Sequence, residues 1–326
     1  SSATKQLLRV TDTRRGVALP IVIALAFIGG CLSAVQSRMN GQLALHVGNG
    51  LEAAVYSFGS GLIILTILLL AQRPMREGLG RVRGALRSGD LRWWQVIGGF
   101  LGAYFVAVQS FTVPVLGVAI FMVAIVAGQS GNSLLVDRAG LGPAGKQPIT
   151  AQRAVSAAIA VIAVAVAVSD RVSSGSISVL AVVFALSAGV VIAVQSAING
   201  RVARVAQHPM SATFLNFAMG SVGLVAAFAT MWMLSDLDPS ALWGAPWWAY
   251  LGGAIGIVFI AIAVWVVPIV GVLVYALTSI AGQLFGALLL DFVAPTPGTE
   301  IVWNLFAGVF LAFVAVLVAA RGRSRA

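Results

Sequence analysis

The sequence predicts an all-α integral membrane protein of ten transmembrane helices, built as two inverted five-helix repeats. Three observations lead there. Of 326 residues 60% are hydrophobic and only 9% charged, whereas soluble globular chains carry about 25% charged residues. That supply is too small to cover a water-facing surface. Uncharged runs of about 20 residues recur, the length a helix needs to cross the hydrocarbon core, where barrel strands would alternate over about 10. Finally, AVQSRMNG at 34–41 returns as AVQSAING at 193–200, polar both times inside an apolar run.

The spans fall at 17–45, 51–72, 92–111, 115–136, 151–169, 177–203, 210–234, 246–266, 270–291 and 300–320. The first follows a basic start (Lys5, Arg9, Arg14, Arg15), as a signal peptide would. Its apolar run from Gly16 to Gln36 has no clear small-x-small cleavage site before Arg38 and is long enough to span, so it is expected as a retained helix. The longest connection, Gln72 to Arg92, is basic and has room for a short amphipathic helix. Trp93 and Trp94, like Trp247 and Trp248, open spans, where indoles favour the headgroup region. Gly98–Gly102 and Gly252–Gly256 have the small-xxx-small spacing that lets helices approach closely. Pro114 and Pro268 are expected to set tight turns between helices. No segment is long or polar enough to form a soluble domain.

Basic residues test the topology, because short cytoplasmic loops hold an excess of Lys and Arg. With the N-terminus inside, the inner segments hold Lys5 to Arg15, then Arg73, Arg76, Arg81, Arg83, Arg87 and Arg92. Further along they hold Arg138, Lys146, Arg153, Arg201 and Arg204, and last Arg321, Arg323 and Arg325. Only Arg38 and Arg171 fall elsewhere. Both termini are therefore expected in the cytoplasm, with the protein in the cytoplasmic membrane. Asp170, Asp236, Asp238 and Glu300 fall in the outer loops. A net charge of +10 distributed this way belongs to membrane orientation, and no nucleic-acid partner is expected. Cys31 is the one cysteine, and His46 and His208 lie far apart. Neither a disulfide framework, nor a metal site, nor a cofactor is expected.

The octapeptides belong to a longer self-match. At one constant spacing Gln36 matches Gln195, Asn40 matches Asn199, Phe58 matches Phe217 and Gly61 matches Gly220. At a slightly shorter spacing WWQVIGGFLG (93–102) matches WWAYLGGAIG (247–256), VPVLG (113–117) matches VPIVG (267–271), and AGQ (127–129) matches AGQ (281–283). Asp137 then meets Asp291, and both are expected to cap helix ends or contact loops. The halves are 1–170 and 171–326. Five spans per half is an odd number, so the second copy enters the membrane from the opposite side. Inverted repeats of this kind underlie alternating access in many secondary transporters.

These paired motifs resemble the YdcZ-like family of the drug/metabolite transporter superfamily, in a fused two-copy form. The resemblance covers nearly the whole chain. It implies export or exchange of a small molecule with both termini cytoplasmic, and it supplies no substrate. Small multidrug exporters of the superfamily depend on an acid within the first helix. Here Ser33 or Gln36 stands in that region, which puts a simple copy of their proton antiport in doubt.

Gln36 and Asn40 are four apart and share one helix face, as do Gln195 and Asn199. Amides at membrane depth need partners, and two readings stand. They bind neighbouring helices, or they line a water-accessible cavity and hold solute. The second reading groups Gln36, Asn40 and Gln283 toward the outside, and Gln195, Asn199 and Gln129 toward the inside. Ser57 and Asn216, matched in the second helices, join the lining. Arg38 either binds an anionic solute, neutralises Glu52, or snorkels to headgroups. Glu52 is the candidate coupling carboxylate. No Ser/His/Asp set, HExxH or phosphate-binding Gly-Lys-Ser/Thr loop is present, so an enzyme is not expected, and primary active transport would need a partner chain. The expected function is secondary transport of a small solute, as a monomer or homodimer, with a proton or ion as the candidate coupling species. The alternative is a non-transporting membrane assembly or receptor subunit.

Overall fold

The computed structural model describes residues 19–141, 146, 148–173, 175, 178–234, 244–295 and 303–321, without side chains at 137, 171–173, 263–265, 267–277 and 319–321. Lys5, Arg9, Arg14, Arg15, Asp236, Asp238, Glu300, Arg323 and Arg325 lie outside the described residues, as do the side chains of Asp137, Arg171 and Pro268.

The described chain is all-helical. Its elements are α1 (Leu19–Val47), α2 (Gly50–Ala71), α3 (Arg73–Ser88), α4 (Trp93–Val96), α5 (Gly99–Leu116) and α6 (Val118–Ala139). They continue with α7 (Ala151–Ser173), α8 (Val179–Ala206), α9 (Pro209–Leu234), a 3-10 turn (Trp247–Leu251), α10 (Gly252–Val293) and α11 (Trp303–Arg321). Among the described residues seven helices are long and apolar enough to cross a membrane, and Trp247–Ile262, Thr278–Val293 and Trp303–Val318 are shorter apolar segments. Large apolar side chains such as Ile63, Ile67, Met233 and Phe310 point outward. A bilayer, not water, is the solvent that suits them.

Local chemistry sets the junctions. Gly48 takes φ 71°, and Asn49 Oδ1 accepts from the Leu51 and Glu52 amides at 2.9 and 3.2 Å, capping two otherwise unpaired donors of α2. Pro74 stands in the first turn of α3, where its missing N–H costs nothing. One turn corrects the expectation for Pro114. That residue lies inside α5, and the break falls at Gly117, whose φ of 81° suits glycine alone. The α6 start that follows is capped by Asp291, whose carboxylate accepts from Val118 N and Ala119 N at 3.1 and 2.7 Å.

Helical backbone continues from Gly252 to Val293, yet the two limbs of α10 run in opposite directions along α1. Asn40 packs on Gly252, Gln36 on Gly256 and Gly29 on Ile262, an antiparallel course. Gly30 then packs on Ser279, Cys31 and Ala34 on Gly286, and Arg38 reaches Ala294, a parallel one. The chain reverses between Val266 and Thr278, the stretch that contains Pro268.

The main core is centred on α6, where every residue from Val118 to Ala127 is buried among α7, α8, α10 and α11. A second core joins α2, α5 and α9 around Phe58 and Phe217. Described basic residues of α3 and α8 gather at one end of the bundle. Arg81 of α3 donates twice to Ala206 O at the end of α8 (2.8 and 2.6 Å), and Arg201 donates to Gly140 O at 2.7 Å. α11 runs antiparallel to α7, joined by Ser156 to Ala315 O (2.6 Å) and Asn304 to Ser169 (2.7 Å). That pairing brings the end of α11 to the same basic end.

Candidate functional site

Two amide clusters lie toward opposite ends of the bundle. In the cluster nearer the basic end, Asn216 Oδ1 on α9 accepts from Gln195 Nε2 at 2.9 Å and Asn199 Nδ2 at 3.0 Å, both on α8. Gln195 is buried, while Asn199 and Asn216 are half-buried. In the other cluster Asn40 Nδ2 on α1 donates to Gln109 Oε1 on α5 at 2.7 Å, and Gln109 Nε2 donates to Ser37 Oγ at 2.6 Å. Asn40, Ser37 and Gln109 have no solvent exposure, and Ser57 is buried beside them. Asn40 Oδ1 is buried with no hydrogen-bond partner among the described residues. A buried acceptor left that way costs about 1–3 kcal/mol.

Both clusters press on glycines from the opposite half of the chain. A Cβ on Gly252 would strike Asn40, and one on Gly98 would lie 2.8 Å from Asn199 Oδ1. A Cβ on Gly256 would lie 2.6 Å from Gln36 Nε2, and one on Gly102 would strike Gln195 Nε2. Gly253 rests on the Ser57 carbonyl and Gly99 on the Asn216 carbonyl. Further along, Gly30 meets Ser279 O and Gln283 N, while Gly189 meets Ile125 O and Gln129 N. In each pair the second contact joins the residues that match the first in the repeat. Where the halves meet, Phe58 stacks on its own match Phe217 at 4.9 Å, with Gly61 under Phe217 and Gly220 under Phe58. Glycine is required there because any side chain would separate these helices.

Gln36, Asn40 and Ser57 are thus brought together, as are Gln195, Asn199 and Asn216. Gln283 and Gln129 sit nearer the middle of the bundle than their expected clusters, level with Gly30 and Gly189. Gly30 is six residues from Gln36, about 9 Å along the axis, and no hydrogen bond among the described residues ties either glutamine to its expected cluster. Arg38 extends to the end of α10 and donates to Ala294 O at 2.7 Å. Glu52 is buried in the first turn of α2, where its carboxylate accepts from Tyr56 Oη at 2.5 Å. Gln109 is absent from the expected set, because its match in the other half is Ala263. A repeat comparison therefore passes over it, and the only available signal was a glutamine within an apolar span.

A family model described as "Putative inner membrane exporter, YdcZ" matches residues 21–166 and again 180–318. The chain belongs to this family. The double match makes it a two-copy YdcZ-like protein, a multi-pass helical protein of an inner-membrane exporter family. No curated protein matches the chain. Each matched half contributes one of the two amide clusters.

Proposed function

We propose that the protein is a secondary transporter that exports or exchanges a small polar solute across the cytoplasmic membrane. It works by alternating access between two inverted five-helix halves, residues 1–170 and 171–326. The observation that carries this reading is the reciprocity of the seams: each half's amide cluster closes on the other half's glycines, through matched residues. Ten spans follow if the seven long helices and three shorter apolar segments all cross. Five per half inverts the second copy. Exchange of the two halves' conformations then opens one seam as it closes the other.

Gln36, Asn40, Ser57 and Gln283 line the outer approach, and Gln195, Asn199, Asn216 and Gln129 the inner one. Amides and hydroxyls dominate both, which favours a neutral or zwitterionic solute. Asn40 Oδ1, buried without a donor, offers the solute an acceptor. Glu52, buried against Tyr56, is the candidate site for a coupling proton. Arg38, bonded to the α10 end, holds the outer end of that helix. The gathering of basic residues at one end supports cytoplasmic termini, and monomer or homodimer would both serve.

The test begins with a ligand thermostability screen on the purified protein, since a bound solute raises the melting midpoint. Solute flux is then measured in proteoliposomes with and without a pH gradient. Gln36→Ala and Gln195→Ala are each expected to reduce flux about two- to ten-fold, the effect of losing a hydrogen bond of about 0.5–1.5 kcal/mol. Glu52→Gln is expected to remove the response to the pH gradient. Unchanged flux in both amide variants at normal protein level would refute the assignment. Ligand binding without flux would favour a receptor or assembly role.

A further inference from the structure

The face of α3 that points away from the protein has a pattern the transport reading does not use. At 100° per residue, Arg76, Arg83 and Arg87 fall on one stripe within about 40° of arc, and all three are exposed. Gly80 and Gly84 lie beside that stripe, and a Cβ on either would meet nothing within 4 Å. Arg73 is paired with Glu77 at 2.9 Å, and Arg76 is bonded to the carbonyls of Leu69 and Leu70 at 2.9 and 2.6 Å. Arg83 and Arg87 have no acceptor among the described residues. The opposite face is fixed. Met75, Gly78 and Val82 are buried, Ser211 donates to Met75 O at 2.7 Å, and Arg81 holds the end of α8. The helix therefore cannot roll to hide its arginines. Leu70 before it is 72% exposed and Trp93 after it 71% exposed, so apolar side chains fit for lipid bracket the helix at both ends.

We propose that this face is a docking surface for an anionic phospholipid, whose headgroup phosphate settles between Arg83 and Arg87 over the open glycines. A guanidinium recognises phosphate through paired, charge-assisted hydrogen bonds, and a basic helix lying at the interface is drawn to anionic leaflets. The lipid, and not a soluble phosphate, is the occupant because the bracketing Leu70 and Trp93 place the stripe at headgroup depth. This proposal stands whether or not the chain transports a solute.

The experiment compares melting midpoints of the full chain in nanodiscs of phosphatidylcholine alone and of phosphatidylcholine with phosphatidylglycerol in equal amounts. The wild type is expected to melt several degrees higher with phosphatidylglycerol, and the gain should collapse at high salt. The Arg83→Gln/Arg87→Gln pair is expected to match the wild type in phosphatidylcholine and to lose the gain. Equal midpoints in both lipids for the wild type, or a gain that survives in the variant, would overturn the proposal. So would a gain of the same size from soluble glycerol phosphate added to phosphatidylcholine discs. If the variant already melts lower in phosphatidylcholine, native mass spectrometry decides: retained phosphatidylglycerol adducts count against the proposal, and lost ones support it.

Discussion

Gln109 illustrates what a single residue contributes here. It has no exposure and bridges Ser37 and Asn40, so its removal strands the Asn40 amide, while the Ser37 hydroxyl keeps its bond to Ser33 O. Gln109→Ala is expected to lower stability by about 1–3 kcal/mol for the amide left without a partner, read as a drop in the thermal midpoint of purified protein. An unchanged midpoint would mean that the brace carries no weight. The seam glycines make a graded prediction. A methyl at Gly99 or Gly253 would strike a backbone carbonyl, whereas one at Gly102 or Gly256 would meet the tip of a glutamine that can swing aside. Gly99→Ala and Gly253→Ala are expected to cost about 1–3 kcal/mol, as overpacked core sites do, and Gly102→Ala and Gly256→Ala less. At this scale the sequence was half legible. Gln36, Asn40, Gln195 and Asn199 announced themselves by recurring, while Gln109 did not, because Ala263 occupies its match. Nor did the spacing of the glycines say that the amides are what they pack against.

At the level of elements, α3 is held to the bundle through the α8–α9 junction. His208 in that junction lies beside Ser211, and burial, with a smaller contribution from Arg81, lowers its pKa from the ordinary 6.5. A depressed folded pKa means that the unfolded chain binds the proton more readily. The contribution of His208 to stability is then complete above about pH 6.5 and is lost as pH falls through the folded value. Melting curves across mildly acidic pH are expected to show the wild type losing stability on acidification, with a flatter profile in His208→Gln. The same slope in both would assign the effect to other groups. Asp291 does comparable work at the start of α6, so Asp291→Ala is expected to cost about 0.5–2 kcal/mol, the range for a lost cap, and Asp291→Asn less. The amphipathic helix between residues 72 and 92 could be read in advance from its charge pattern. The turn belongs to Gly117 and not to Pro114, since the proline is accommodated two residues before the helix ends at Leu116 and Gly117 has the positive φ the reversal needs.

For the molecule as a whole, lipid-facing composition and internal repetition made the helical membrane class legible, because both are properties of the chain's linear pattern. The partners of the repeated faces were not, since contact between residues far apart in sequence leaves no spacing to read. Asn40 meets Gly252 and Gly98 meets Asn199 only because each half lends its first helices to the other half's third span. The central claim is that these two seams open in alternation. Its most direct test is cysteine labelling in a Cys31→Ala background, with reporters at Asn40→Cys and, separately, Asn199→Cys. Each reporter is combined with a wedge, Gly256→Leu in one seam or Gly102→Leu in the other. The account expects Gly256→Leu to raise labelling at residue 40 from outside and lower it at residue 199 from inside, with Gly102→Leu doing the reverse. Labels that rise together, or that ignore the distant wedge, would contradict it.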